Sequence, residues 1–167
     1  LVGYCILAED MDKVDFNNLA KHGVTDLFLD YRCMDTHDKA QVEKWIADAK
    51  SKGISVHMLA QIFNDDEKSY NPTNQSFVDA KIKELKDYAS FKGIAGIHMN
   101  YMRYEGAKSA ENDKYTQAIS DFAVNATGAL RKANPNLILS SDVMPEYGQL
   151  KEKYCTDYDI ISENFDF

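Results

Sequence analysis

Residues 93–106 read GIAGIHMNYMRYEG, and the fold turns on how that stretch is parsed. It opens as an apolar run after Gly93 and closes in hydrogen-bonding and aromatic side chains: His98, Asn100, Tyr101, Arg103 and Tyr104. Read as a strand, its alternation separates two faces. Ala95, Ile97, Met99 and Tyr101 share one parity and are apolar enough to lie beneath helices. Gly96, His98 and Asn100 share the other and point inward, with Asn100 near the end. Such a strand is buried on its helix side and turns polar on its inner side as it reaches the mouth of an α/β barrel.

The same grammar recurs along the chain. Apolar runs at 3–9 (GYCILAE), 24–31 (VTDLFLDY), 54–63 (ISVHMLAQIF), 94–102, 137–144 (LILSSDVM) and 158–165 (YDIISENF) alternate with helical stripes. Phe16, Leu19 and Ala20 mark a short helix ending at His22-Gly23. Val42, Trp45, Ile46 and Ala49 mark a second, with Asp38 as N-cap and Gly53 past its end. Phe77, Ala80, Leu85, Tyr88 and Ala89 mark a third, closed by Lys92-Gly93. Tyr115, Ile119, Phe122, Ala126 and Leu130 mark a fourth, stopped by Asn134-Pro135. These stripes are core faces.

Strand–helix alternation predicts a parallel sheet with crossover helices, and no linker or repeat divides residues 1–167. Helix-to-strand links are tight, whereas strand-to-helix links such as 64–75 and 105–113 are long and polar, which puts the working face at the strand C-termini. Six strands fall short of the eight of a closed (β/α)₈ barrel, so the expectation is a partial TIM-type barrel of about six βα units, cut off at its C-terminal side. Leu1 in place of a Met reads as a trimmed start, and LVGYCILAED lacks the basic region and cleavage site of a signal peptide.

Composition narrows the partners. A net charge of −8 and pI ≈ 4.9 argue against nucleic acid or an anionic membrane surface, both of which need a basic face. No apolar run approaches the roughly 18 residues of a membrane span. Cys5 lies in an apolar run and is expected in the core; Cys33 and Cys155 could bridge, though spacing does not decide it. Without GxGxxG or a P-loop, no nucleotide cofactor is expected.

Parity assigns the inner face of the other strands: Phe28 and Asp30 on the second; Ser55, His57 and Gln61 on the third; Ile138, Ser140 and Asp142 on the fifth, with Glu146 just beyond it. The sixth offers either Glu163 or Asn164. One mouth then gathers Asp30, Gln61, His98, Asn100, Asp142 and Glu163, with Tyr101, Arg103 and Tyr104 on the rim. Carboxylates beside aromatic rings and amides suit carbohydrate, because acids cleave glycosidic bonds while rings stack on sugars and amides bond their hydroxyls. The plainer reading is strand-end acids that are solvated or cap the next helix. A metal set of His57, His98 and Asp30 or Asp142 is the rival chemistry, but no paired ligand spacing supports it and no metal is expected.

The segment GIHMNYMRYEG resembles the G-(I/V)-H-(L/F)-D-Y-I-R-(Y/F)-P strand of glycoside-hydrolase-like (β/α)₈ barrels of bacterial and archaeal surface proteins. SSDVMPE (140–146) is similar to that group's S-A-D-V-F strand, and YDIISENF to its D-Y-I-S-P-M-V-Y strand. The resemblance implies a glycosidase-like barrel, extracellular or at the cell surface, acting on a polysaccharide or cell-wall glycan. It implies roles for His98, Tyr101, Arg103, Tyr104 and Asp142. Asp142 and Glu163 are then the catalytic pair, and His98, Asn100, Tyr101, Arg103, Tyr104, Asp30 and Gln61 bind substrate. This chain departs from the motif at Asn100, where the group has an acid, and at Glu105, where Pro is usual. An amide is no general acid, base or nucleophile. Either Glu163, Asp30 or Glu146 supplies the missing acid, or the domain binds glycan without cleaving it, or the change was engineered. Beside the hydrolase and the binding module, a structural barrel segment without ligand is the third functional reading.

Overall fold

The helix punctuation acts where the sequence places it. The computed structural model describes residues 2–65, 68–105, 109–145 and 150–167. Helices α1 (Phe16–Lys21), α2 (Lys39–Ser51) and α3 (Gln75–Ala89) are each followed by a glycine at positive φ: 79° at Gly23, 76° at Gly53 and 86° at Gly93. A side chain at such a φ would meet its own backbone, so glycine stops the helix and turns the chain at little cost. At the start of α2 the Asp38 carboxylate accepts the Gln41 N–H while the Gln41 side chain accepts the Asp38 N–H, a reciprocal cap that stabilises by about 1 kcal/mol. The 22-residue α4 (Asn112–Ala133) ends before Asn134-Pro135.

Between the helices, β1 (Gly3–Ile6), β2 (Asp26–Asp30), β3 (Ser55–Gln61), β4 (Gly96–Asn100) and β5 (Ile138–Ser141) form one parallel sheet in the order β1-β2-β3-β4-β5. Chain order without reversal is barrel-type topology, because right-handed crossovers then place every helix on the same face. That face holds the core. Leu27, Leu29, Val56, Met58, Ala60, Ile97, Met99 and Leu139 point into it and are fully buried against Val42, Ile46, Leu85, Ile119, Phe122 and Leu130. The opposite face carries the inward residues in rows: Cys5, Phe28, His57, Gly96 and Ile138, then Asp30, Leu59, His98 and Ser140, then Gln61 and Asn100.

The structure corrects three expectations. The run 158–165 is not a sixth strand but helix α6 (Tyr158–Asn164), preceded by the five-residue α5 (Leu150–Tyr154). Asp157 caps α6 through the Asp159 N–H, and Tyr158, Ile161 and Phe165 recur at helical spacing, a period that the β-branched pair Ile160-Ile161 disguises. Strand-like pairing begins only after it, where Asp166 N donates to Leu139 O (2.7 Å) and Ser141 N to Phe167 O (3.1 Å). Cys5 is exposed, because it lies on the edge strand and faces the uncovered side of the sheet. Ala80, placed on the core stripe of α3, is also exposed; Val78 takes the buried position. Cys33 and Cys155 are buried free thiols, and burial holds both thiols above the usual range, that of Cys33 up to about 12.

Gly96 has no room for a side chain. A Cβ there would overlap the Ile138 carbonyl oxygen and His57 Nδ1. Gly128, exposed on α4, has nothing within 4 Å of that position. Gly96→Ala is therefore expected to lower stability by about 1–3 kcal/mol, and Gly128→Ala to raise it by about 0.5–1 kcal/mol. Urea denaturation of both variants beside the parent checks the pair.

Candidate active site at the C-terminal edge of the sheet

The site begins where β4 ends. Tyr101 adopts a left-handed conformation (φ 58°), a cost of about 1–3 kcal/mol for a residue with a Cβ that persists only where its surroundings impose it. The surroundings are two side-chain oxygens. The Tyr101 N–H donates to Asn100 Oδ1 at 2.8 Å and to Asp142 Oδ1 at 3.1 Å, tying the end of β4 to the end of β5. Ser141 reinforces the tie by donating to the Met99 carbonyl at 2.9 Å.

Arg103 closes the cluster. Its guanidinium lies 4.3 Å from the centre of the Tyr101 ring, donates through Nη1 to Asp142 Oδ2 at 3.4 Å and through Nε to Glu105 Oε1 at 2.8 Å. The cation is therefore held by a ring face and two carboxylates at once.

One row deeper, His98 Nδ1 is 2.9 Å from Ser140 Oγ, and its ring meets Phe28 edge-on at 5.2 Å. Burial pushes the His98 imidazole below its ordinary range; Asp142 pulls it back up, and His57 adds to the lowering. Towards the N-terminal end of the sheet, His57 Nε2 is 2.8 Å from Asp26 Oδ1 and the ring stacks on Phe28 at 4.9 Å. Both inward histidines are thus hydrogen-bonded interior groups. Among the described residues, no three His, Cys, Asp or Glu side chains converge as a metal site.

The remaining predicted residues divide. Asp30 reaches the inner face, yet its side chain is only 6% exposed; it caps the turn Tyr31–Asp35 through the Arg32 N–H and grips Arg32 Nε and Nη2 at 3.0 and 2.5 Å. It is a structural ion pair. Gln61 is buried beside Asn100 in register and lines a cavity of about 130 Å³ with Tyr31, Asp65, Tyr70, Phe77 and Lys81. Tyr104 turns away from the mouth to pack on Tyr115 of α4 at 4.7 Å, its N–H donating to the Tyr154 carbonyl. Glu163 lies exposed near the end of α6, where the next carbonyl, that of Asn164, accepts from Arg131 in the last turn of α4. That helix end leads into the start of β5, so Glu163 stands at the far end of the sheet from Asp142. Glu146 lies outside the described residues.

So Asn100, Tyr101, Arg103 and Asp142 assemble, with His98 and Gln61 beside them. Sequence reasoning missed the arginine partners: Arg32, two residues after Asp30, and Glu105, two residues after Arg103. The i, i+2 spacing of opposite charges was the available signal, and only the turn geometry makes it meaningful.

No protein-family model matches the sequence, and no curated protein matches it. Solved structures do. A Group II chitinase catalytic domain from Ostrinia furnacalis superposes with a TM-score of 0.69 at 14% identity over 99% of this chain and 48% of its own. A class V chitinase from Pseudomonas fluorescens gives 0.69 at 14% over 100% and 52%. The glycoside hydrolase domain of PelA from Pseudomonas aeruginosa gives 0.60 at 11% over 85% and 58%. The chain spans about half the length of the structures it matches. At these identities the likeness establishes the fold: a TIM-barrel type shared with glycoside hydrolase domains. The Ostrinia domain has also been captured in complex with (NAG)5. No helix among the described residues is long and apolar enough to cross a membrane.

His98 carries a pH prediction. A histidine whose folded pKa is lowered gives full stability above its unfolded value of about 6.5, and that stability is lost as pH falls below it, because the unfolded chain takes the proton more readily. His98→Gln is expected to flatten the loss of stability between pH 7 and pH 5. Denaturant midpoints at the two pH values, parent against variant, measure the difference; an unchanged slope would refute it.

Proposed function

We propose that the chain acts on a polysaccharide or cell-wall glycan as a glycoside hydrolase, with Asp142 as a catalytic carboxylate. The observation that carries this reading is the Asp142 carboxylate itself. It stands at the C-terminal end of a barrel-type sheet, held by the Tyr101 N–H and Arg103 yet 35% exposed, in the fold of glycoside hydrolase domains. A carboxylate in that place can act on the anomeric centre, and Arg103, Asn100, Gln61 and His98 supply groups for sugar hydroxyls around it. Tyr101 offers little stacking face to a sugar, since Arg103 occupies one side of its ring. A surface glycan as substrate implies work outside the cell or at its surface.

One observation favours a second reading, a binding module without turnover. Asn100 stands where the motif that the strand resembles carries an acid, and its amide oxygen shares the Tyr101 N–H with Asp142. Two carboxylates on that one N–H would repel, forcing one to keep its proton; an amide removes both the conflict and the proton.

Release of reducing ends from chitin, xylan and peptidoglycan tests the choice. The hydrolase reading expects cleavage of one of them, reduced about 10²–10⁴-fold in Asp142→Asn with binding retained. Binding without cleavage by the parent, with cleavage gained in Asn100→Asp, would transfer the conclusion to the binding module.

A further inference from the structure

Building on the hydrolase reading above, we propose that Glu105 is the second carboxylate of the site, paired with Asp142 across the guanidinium of Arg103. Most glycoside hydrolases use two carboxyl groups, and Asn100 supplies none. The other described acids of the inner face and the strand ends are engaged or remote. Asp30 is closed in by Arg32. Asp26 is bonded to His57 at the N-terminal end of the sheet, and Glu163 stands at that end as well. Asp65 lies beyond Gln61, bonded to the Tyr70 hydroxyl.

Glu105 differs from all of these. Its side chain is 58% exposed, and its Oε1 takes the Arg103 Nε–H at 2.8 Å while the same guanidinium reaches Asp142 at 3.4 Å. Because Nε and Nη1 belong to one rigid plane, the two carboxylates are held at a separation set by a guanidinium and two hydrogen bonds. The Tyr101 ring lies 4.3 Å from the guanidinium, and Arg103 is itself only 17% exposed. The cation also offsets the repulsion between two acids placed so near each other. Two solvent-facing carboxylates with a shared, half-buried positioning group form a working pair without any acid at position 100.

Their surroundings divide the roles. Asp142 receives an N–H on each oxygen, from Tyr101 and Arg103, and acts as the base. Glu105 takes the Arg103 Nε–H on Oε1 alone, and the proton it donates is one carried on Oε2, on a side chain that faces solvent. The Glu105 carboxylic acid passes its proton to the departing glycosidic oxygen as the C–O bond breaks. Asp142 takes a proton from the water whose oxygen bonds to the anomeric carbon. One proton returns from Asp142 to Glu105 through solvent, and the pair is restored. Water is the only co-reactant.

The test compares the protein with Glu105→Gln, an exposed position whose substitution leaves the core untouched. Two substrates are used: the polysaccharide that the parent cleaves, and the dinitrophenyl glycoside of the same sugar, whose phenolate leaves without protonation. The proposal expects polysaccharide cleavage to fall about 10²–10⁴-fold, with binding of the oligosaccharide changed less than about threefold. It also expects the alkaline limb of the pH profile to disappear and the dinitrophenyl glycoside to remain a substrate. A merely structural Glu105 would depress both substrates alike and leave the pH limb in place, which overturns the proposal and spares the hydrolase reading. Unchanged polysaccharide cleavage by Glu105→Gln overturns it in the same way. Failure of the parent to cleave any glycan overturns both.

Discussion

Five parallel strands laid side by side in chain order leave the molecule one face for its helices. Each crossover must be right-handed, so each returns on the same side, and the strand residues of one parity are committed to that side. Everything else follows from this constraint. The other face of the sheet is free to carry residues that no helix needs, and the alternation of a strand guarantees that half of its side chains go there.

What occupies the free face changes along the strands. At the N-terminal end it is packed: Asp26 and His57 bond each other, Phe28 stacks on His57, and Gly96 gives up its side chain so that β4, the imidazole and the β5 backbone can meet. In the middle His98 and Ser140 pair. At the C-terminal end the ladder between β4 and β5 stops, and the donor that would have continued it turns to side chains. That donor is the Tyr101 N–H. Having left the sheet in a left-handed conformation, it serves Asn100 and Asp142 instead. The strain of Tyr101 and the placement of Asp142 are one arrangement seen from two strands.

Charge at this edge is organised by two arginines with opposite effects. Arg32 grips Asp30 with its side chain and its own N–H, which withdraws that acid from solvent. Arg103 lies over a tyrosine ring and touches each of its acids with a single nitrogen, which leaves both carboxylates open. A bidentate grip closes one acid off, whereas a shared guanidinium holds two by one nitrogen each. That difference decides which strand-end carboxylates face solvent.

By itself the sequence determined the layers, the helix ends and the direction in which the strand residues face. These rest on local rules: a period of 2 or 3.6, a capping Asp38, glycines at Gly23, Gly53 and Gly93 where the backbone must turn left-handed. It also brought Asn100, Arg103 and Asp142 into view, since parity alone carries Asn100 and Asp142 to the inner face. Only the tertiary structure decided the rest. The run 158–165 satisfies both periods locally, and its cap at Asp157 together with the burial of Ile161 resolves it as a helix, which takes Glu163 to the far end. Tyr104 could have faced the mouth, but the ring of Tyr115 offered it an apolar surface. Asp30 and Asp142 read alike in sequence; their different fates depend on which nitrogen of which arginine arrives, and at what angle. Periodicity is a property of neighbours along the chain, whereas the pairing of charges across strands is fixed only when the sheet has set their distances.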